Sequence, residues 1–183
     1  MPRAAVFTSG SNARGLSPKK LTVSKSRYKV LRMIEVIISG GQTGADRAAL
    51  DFALERGFEI QGWCPQGRRA EDGPLAAKYP LRETESASYA PRTRLNVELA
   101  DATIIFNGLP EYSSGTHTAV KHARAHKKTF KVLRGFPDVT KDAAALRQWL
   151  KKHKPQKLNI AGNGEEKCPG MYAHVLAVLK QVL

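Results

Sequence analysis

The chain has 183 residues, 42% hydrophobic and 25% charged, with two cysteines. That composition suits one water-soluble domain with a single core and excludes a disulfide framework. No apolar run reaches the ~20 residues that a membrane-spanning helix needs.

The formal charge of +14 suggests nucleic acid until it is divided along the chain. Residues 1–32 carry eight Lys and Arg and no acid, so the remainder holds 22 bases against 16 acids. The excess therefore belongs to a leader that contains Ser, Gly and Pro and has little helical or strand periodicity. This leader reads as a disordered basic arm, an organelle-targeting segment, or an extension upstream of a protein that starts at Met33. The last is favoured, because Met33 immediately precedes the first strand. Nucleic-acid binding would rest on the leader alone and is disfavoured. Residues 33–183 are expected to form a single domain. Cys64 and Cys168 fit a reducing compartment, and the expected location is the cytoplasm.

From Ile34 the pattern becomes regular. Ile34–Ile38 is β-branched and mostly apolar, which suits a strand buried on both faces of a parallel sheet. Gly40, Gly41 and Gly44 follow, and Asp46–Arg56 reads as a helix ending at Gly57. Strand, glycine turn and helix aim free backbone N–H groups at an anion, and the helix start adds the positive end of its dipole. The turn is neither G-x-G-x-x-G nor the lysine-containing phosphate loop. Asp46 reads either as a helix cap or as a contact to a ligand hydroxyl.

Phe58–Trp63 suits a second strand. Cys64 to about Pro91 shows no clear periodicity and is long for a connection, which points to function or disorder. Within it Arg68, Arg69, Glu71 and Asp72 are either a solvated turn or a loop that folds over an anion. In the second case the arginines meet an oxyanion and the acids meet hydroxyls or a water.

Tyr89–Ala100, with Arg92 and Asn96, reads as a short helix, and Thr103–Phe106 as the third strand. A Ser/Gly loop, Asn107–Thr116, then opens a helix at about Thr116, with Ser114 and Gly115 at its start. His122 and His126 lie four apart on that helix, but Lys121, Arg124, Lys127 and Lys128 surround them. No metal site is read there. Phe130–Leu133 and Lys157–Gly162 complete five strands, with a helix from Asp142 to His153 between them. Pro169 precedes a last amphipathic helix.

Strands alternating with helices imply an α/β, Rossmann-like doubly wound parallel sheet with helices on both faces. Ligands bind such sheets beyond the carboxyl ends of the strands, where the glycine turns and the Arg68/Arg69 loop fall. The expected binding set is Gly40, Gly41, Gln42, Thr43, Gly44, Asp46, Arg47, Arg68, Arg69, Ser114, Gly115, Thr116 and Gly162.

From Ile34 on, the chain resembles the putative molybdenum carrier family, the circularly permuted YpsA-like branch of the SLOG superfamily that includes LOG phosphoribohydrolases. The matching residues are Ser39–Arg47, Gly62–Pro74, Tyr79–Thr84, Arg92-Thr93, Asn96-Val97, Gly115-Thr116 and Leu158–Gly162 with Lys167, Pro169, Gly170 and Tyr172. The resemblance implies a Rossmann-like fold that binds a phosphorylated or nucleotide-like ligand, including the molybdenum cofactor. It adds Arg92 and Asn96 to the expected binding set. The chain departs from the family at Ser114 (usually Gly) and Lys121 (usually Glu). LOG enzymes place a glutamate shortly after their Gly-Thr, where this chain has Ala119. The leading expectation is a carrier or sensor for a small molecule, with self-association left open. The alternative is a nucleoside-monophosphate phosphoribohydrolase in which Arg68 or Arg69 holds the phosphate and Glu71 or Asp72 is the acid/base.

Overall fold

An apolar, β-branched run is best satisfied between two other strands, and residues 36–38 occupy such a place. The structure, a computed structural model, describes residues 33–183. The readings of residues 1–32 lie outside the described residues. Five strands form one parallel sheet: β1 (Val36–Ile38), β2 (Glu59–Gln61), β3 (Ala102–Phe106), β4 (Thr129–Leu133) and β5 (Lys157–Gly162). Their spatial order is β2-β1-β5-β3-β4. The last strand in the chain therefore sits in the middle, bonded to β1 on one side and β3 on the other. If β5 is counted first, the order becomes 3-2-1-4-5, half of a doubly wound sheet whose chain begins at another point.

The helices are α1 (Ala45–Arg56), α2 (Tyr89–Leu99), α3 (Ser114–Ala125), α4 (Val139–His153) and α5 (Met171–Val182). Alternate strand residues face opposite sides. Ile37, Ile104, Leu158 and Ile160 join α1, α4 and α5 in the main core. Val36 and Ile38 pack with Leu99 and Ala100 at the end of α2, and Ile105 packs with Ala119 and Val120 of α3. Each fully buried Ile or Leu contributes about 1.5–3 kcal/mol relative to exposure. Helix α4 begins three residues before the expected Asp142, because Asp138 caps it by accepting the Lys141 N–H at 3.0 Å.

The stretch from Cys64 to Pro91 is more regular than its sequence suggests. It contains two short strand pairs, Trp63–Cys64 with Arg82–Glu83 and Arg69–Ala70 with Gly73–Pro74. Two-residue strands are too short to leave a periodic trace. Arg68 organises the segment instead. Its guanidinium donates to the carbonyl oxygens of Leu75, Ala76, Tyr79 and Leu81 at 2.8–3.3 Å.

Asp51 of α1 ties this segment to the rest of the molecule. Its carboxylate accepts the hydroxyls of Tyr79 at 2.7 Å and Tyr172 of α5 at 3.0 Å, and Lys78 at 3.1 Å. Partial burial raises its pKa, but hydrogen bonds from Tyr79, Lys78 and Tyr172 outweigh that and hold it below its ordinary 3.8. A depressed carboxylate stabilises the fold above its unfolded pKa, and that stability is lost as pH falls through the folded value. Asp51→Asn is expected to cost about 1–3 kcal/mol at neutral pH. Urea titrations below pH 4 should show the difference from the parent chain shrinking.

Candidate functional site

The strand order determines where a ligand can sit. The loops after β5 and β3 leave the sheet toward α5 on one face and α3 on the other, opening a crevice at their carboxyl ends. Helix α2 precedes β3, so its first turn starts at that same edge. A cleft of about 300 Å³ lies there. Gln42 and Glu71 form one wall, and Ser88, Tyr89, Arg92 and Thr93 of the α2 start form the next. Ser114, Gly115 and Thr118 of α3 face them, while Gly162, Gly164 and Lys167 come from the loop after β5.

Arg92 is held beneath this cleft by a buried ion pair. Its Nη1 lies 2.8 Å from Oδ2 of Asp46, with the two side chains 11% and 3% exposed. Burial pushes the Asp46 carboxyl up, and Arg92 pulls it back down without restoring its ordinary value. Asp46 also accepts the Gln42 N–H at 3.4 Å. The N-cap of α1 is Gly44, so Asp46 anchors an arginine instead of capping the helix. Gly40 makes this possible, because a Cβ there would collide with the Arg92 guanidinium. The buried Nε of Arg92 has no protein partner.

The start of α3 is the second feature. Ser113 caps the helix, its Oγ accepting the Thr116 N–H at 3.3 Å. The first N–H groups of a helix have no partner within it. Those of Ser114 and Gly115 begin a helix with no acid in its first turn, on the cleft wall. Asn163, buried in the loop after β5, fixes this arrangement. It accepts the Gly108 N–H at 2.8 Å and donates to Ser113 at 3.2 Å and Thr116 at 3.4 Å. Its carbonyl accepts the Ala45 N–H at 3.1 Å, and the close approach leaves no room for a Cβ at Gly44, whose φ is 70°.

The Glu71-Asp72 turn is fastened across the first glycine turn. Gln42 Oε1 accepts the N–H groups of Thr43 at 2.9 Å and Glu71 at 2.8 Å. The Thr43 hydroxyl donates to the Glu71 carboxylate and accepts the Glu165 N–H at 3.1 Å. Arg47 forks onto Asp72 with two bonds of 3.0 Å and also donates to the Gly41 carbonyl. Arg47 draws the Asp72 carboxyl below its ordinary range. Beyond this clasp lies a more open second cleft of about 600 Å³, lined by Thr43, Gly44, Arg47, Asp51, Asp72, Glu165 and Tyr172 among others.

Of the residues expected from sequence, Gln42, Arg92, Ser114, Gly115, Gly162 and Glu71 meet in the first cleft. Gly40 and Asp46 lie behind Arg92, and Gly41 packs under Leu75 and Leu81. Thr43, Gly44, Arg47 and Asp72 face the second cleft. Arg68 is committed to carbonyl oxygens, and Asn96 is buried and bonded to the Trp63 backbone. Thr116 is buried under Asn163. Arg69 is exposed and lies over the Tyr89 ring, 5.6 Å from its centroid. Both candidate acids, Glu71 and Asp72, line the second cleft, and Glu71 lines the first as well.

Ser88, Tyr89, Thr93, Thr118, Gly164 and Lys167 were not in the expected set. Tyr89 opens a helix that runs back against the strands, and that direction was the available signal. Glu98, from the neighbouring helix α2, sits 3.1 Å from His126 of α3. Among the described residues, no three His, Cys, Asp or Glu side chains gather as a metal ion requires.

Residues 37–183 match the model of the circularly permutated YpsA SLOG family. The chain belongs to that family. The permuted strand order is what the name describes. A search of the solved structures finds a crystal structure of a putative molybdenum carrier protein from Syntrophus aciditrophicus SB. It is 36% identical, with a TM-score of 0.78, and the match covers 82% of this chain and 96% of that one. A search of curated proteins returns no match. No helix among the described residues is long and apolar enough to cross a membrane.

Replacing Arg92 by Met should strand the Asp46 carboxylate in the interior and cost about 3–5 kcal/mol in urea denaturation. The double variant Asp46→Asn with Arg92→Met should recover most of that loss.

Proposed function

We propose that the chain is a cytoplasmic carrier or sensor that holds an anionic small molecule in the cleft between the starts of α2 and α3. The ligand is the molybdenum cofactor or another phosphorylated, nucleotide-like molecule. The observation that carries this reading is a convergence on one small cleft: two free N–H groups at a helix start, the anchored Arg92, and Lys167. Helix termini and arginines are recurrent ligands of phosphate oxygens. The cleft walls contain hydroxyls and one carboxylate but no paired nucleophile and base, which favours holding over turnover. The likeness to a protein described as a molybdenum carrier supports the first ligand class, and the two free, buried cysteines fit a reducing cytoplasm.

Thermal unfolding in the presence of molybdate, molybdenum cofactor, nucleoside monophosphates and dinucleotides tests the reading. Stabilisation by at least one is expected, and stabilisation by none defeats it. Gly115→Asp gives a sharper check, since nothing lies within 4 Å of a Cβ at that position. An acid in the first turn of α3 should leave the helix intact or strengthen it by about 0.3–1 kcal/mol. The same charge should weaken binding of the stabilising ligand at least about tenfold by calorimetry.

A second reading is favoured by one observation: Glu71 and Arg92 line the same cleft, as a carboxylate and an arginine would in cleaving an N-glycosidic bond. Against it, the position after Gly115-Thr116 that would supply an acid is Ala119, buried against Ile105. Adenine release from AMP by the parent chain, lost in Glu71→Gln, would establish hydrolysis. No release by the parent chain would remove it.

A further inference from the structure

We infer that Glu71 is a specificity-determining residue of the cleft, selecting anions that carry a hydroxyl or amino donor beside the charged group and rejecting anions that do not. This rests on the anion-binding reading above and adds a chemical requirement to it. Every other charged side chain on the cleft wall is a cation, Arg92 or Lys167, and the start of α3 adds positive potential. Glu71 alone places a carboxylate among them.

That carboxylate is held in place. Its backbone N–H donates to Gln42 at 2.8 Å, and its side chain accepts the Thr43 hydroxyl. Thr43 Oγ already accepts the Glu165 N–H, so its single proton is committed to Glu71. Behind Glu71 lies Gly164, where a Cβ would fall 2.8 Å from both carboxylate oxygens. Glu71 therefore cannot retreat in that direction when an anion arrives. A carboxylate has about four acceptor sites, and one is used by Thr43. The exposed remainder borders this cleft as well as the second one, and in this cleft it repels oxyanion oxygens and accepts from donors.

A ligand with a hydroxyl or amino group next to its phosphate satisfies both demands at once. One without a donor leaves the carboxylate facing an anion, with nothing gained in return. Sites built to hydrogen-bond a ligand hydroxyl discriminate strongly against analogues that lack it.

Two probes of equal charge and similar size isolate this requirement: glycerol 3-phosphate, with two hydroxyls, and n-propyl phosphate, with none. Calorimetry on the full chain should show glycerol 3-phosphate binding at least about tenfold tighter. In Glu71→Gln, which keeps an acceptor for Thr43, propyl phosphate should gain roughly tenfold as the like charge is removed, narrowing the preference. Glu71→Asp, which keeps the charge, should retain more of the discrimination than Glu71→Gln. Equal binding of the two probes by the parent chain overturns the inference, as does an unchanged ratio in Glu71→Gln. In both cases the anion site itself stands. If neither probe binds the parent chain and no anion stabilises it, the anion-binding reading falls as well.

Discussion

Taking a guanidinium out of water is unfavourable unless a carboxylate and a close-fitting surface offset the loss, and Arg92 has both, with its buried Nε left without a protein partner. Asp46 supplies the charge from the first turn of α1, and the bare Cα of Gly40 supplies the surface at the end of β1. Three elements that are distant in sequence are thereby fixed relative to one another: the glycine turn, α1 and α2. The rest of the cleft is built outward from this join. Gln42 and Thr43 continue the turn and bind the Glu71-Asp72 tip, and Asn163 joins the turn after β5 to the start of α3. The pair is costly as an isolated feature, since buried ion pairs seldom add net stability over apolar replacements. What it does achieve is a cation fixed at a defined place on the cleft wall.

The fold was readable because the strongest signals were long and local. Five apolar strand runs and five helices show their periods over several residues, and each was found within a few positions of its observed limits. The glycine turns lie, as their place after the strands implied, at the carboxyl edge of the sheet. What sequence could not give was the order of strands in space. Nothing within Lys157–Gly162 tells that it lies between β1 and β3, because pairing partners are chosen by the whole sheet and not by a strand's own composition. The resemblance named a circularly permuted family, and the order itself is seen only in the structure.

The site was less legible than the fold, for a reason visible in its arginines. Arg47, Arg68, Arg69 and Arg92 look alike in sequence, yet one forks onto Asp72, one binds four carbonyls, one is exposed over Tyr89 and one is anchored under the cleft. A guanidinium satisfies carbonyls, carboxylates and phosphates with the same donors. Only the fold decides which partner it meets. Asp46 was equally ambiguous: its position near a helix start pointed to a cap, while its partner lay 46 residues away.

The central place of β5 has a consequence for how the molecule comes into being. Before residues 157–162 are available, β1 can pair only with β2, and β3 only with β4, leaving two narrow ribbons with open edges toward each other. The floor of the cleft and the Asn163 joint do not yet exist. On the ribosome, most of the chain must therefore wait for its closing segment before the sheet is continuous. The cleft between the starts of α2 and α3 is therefore among the last features to assemble, and a nascent or truncated chain lacks it until its own sheet is complete.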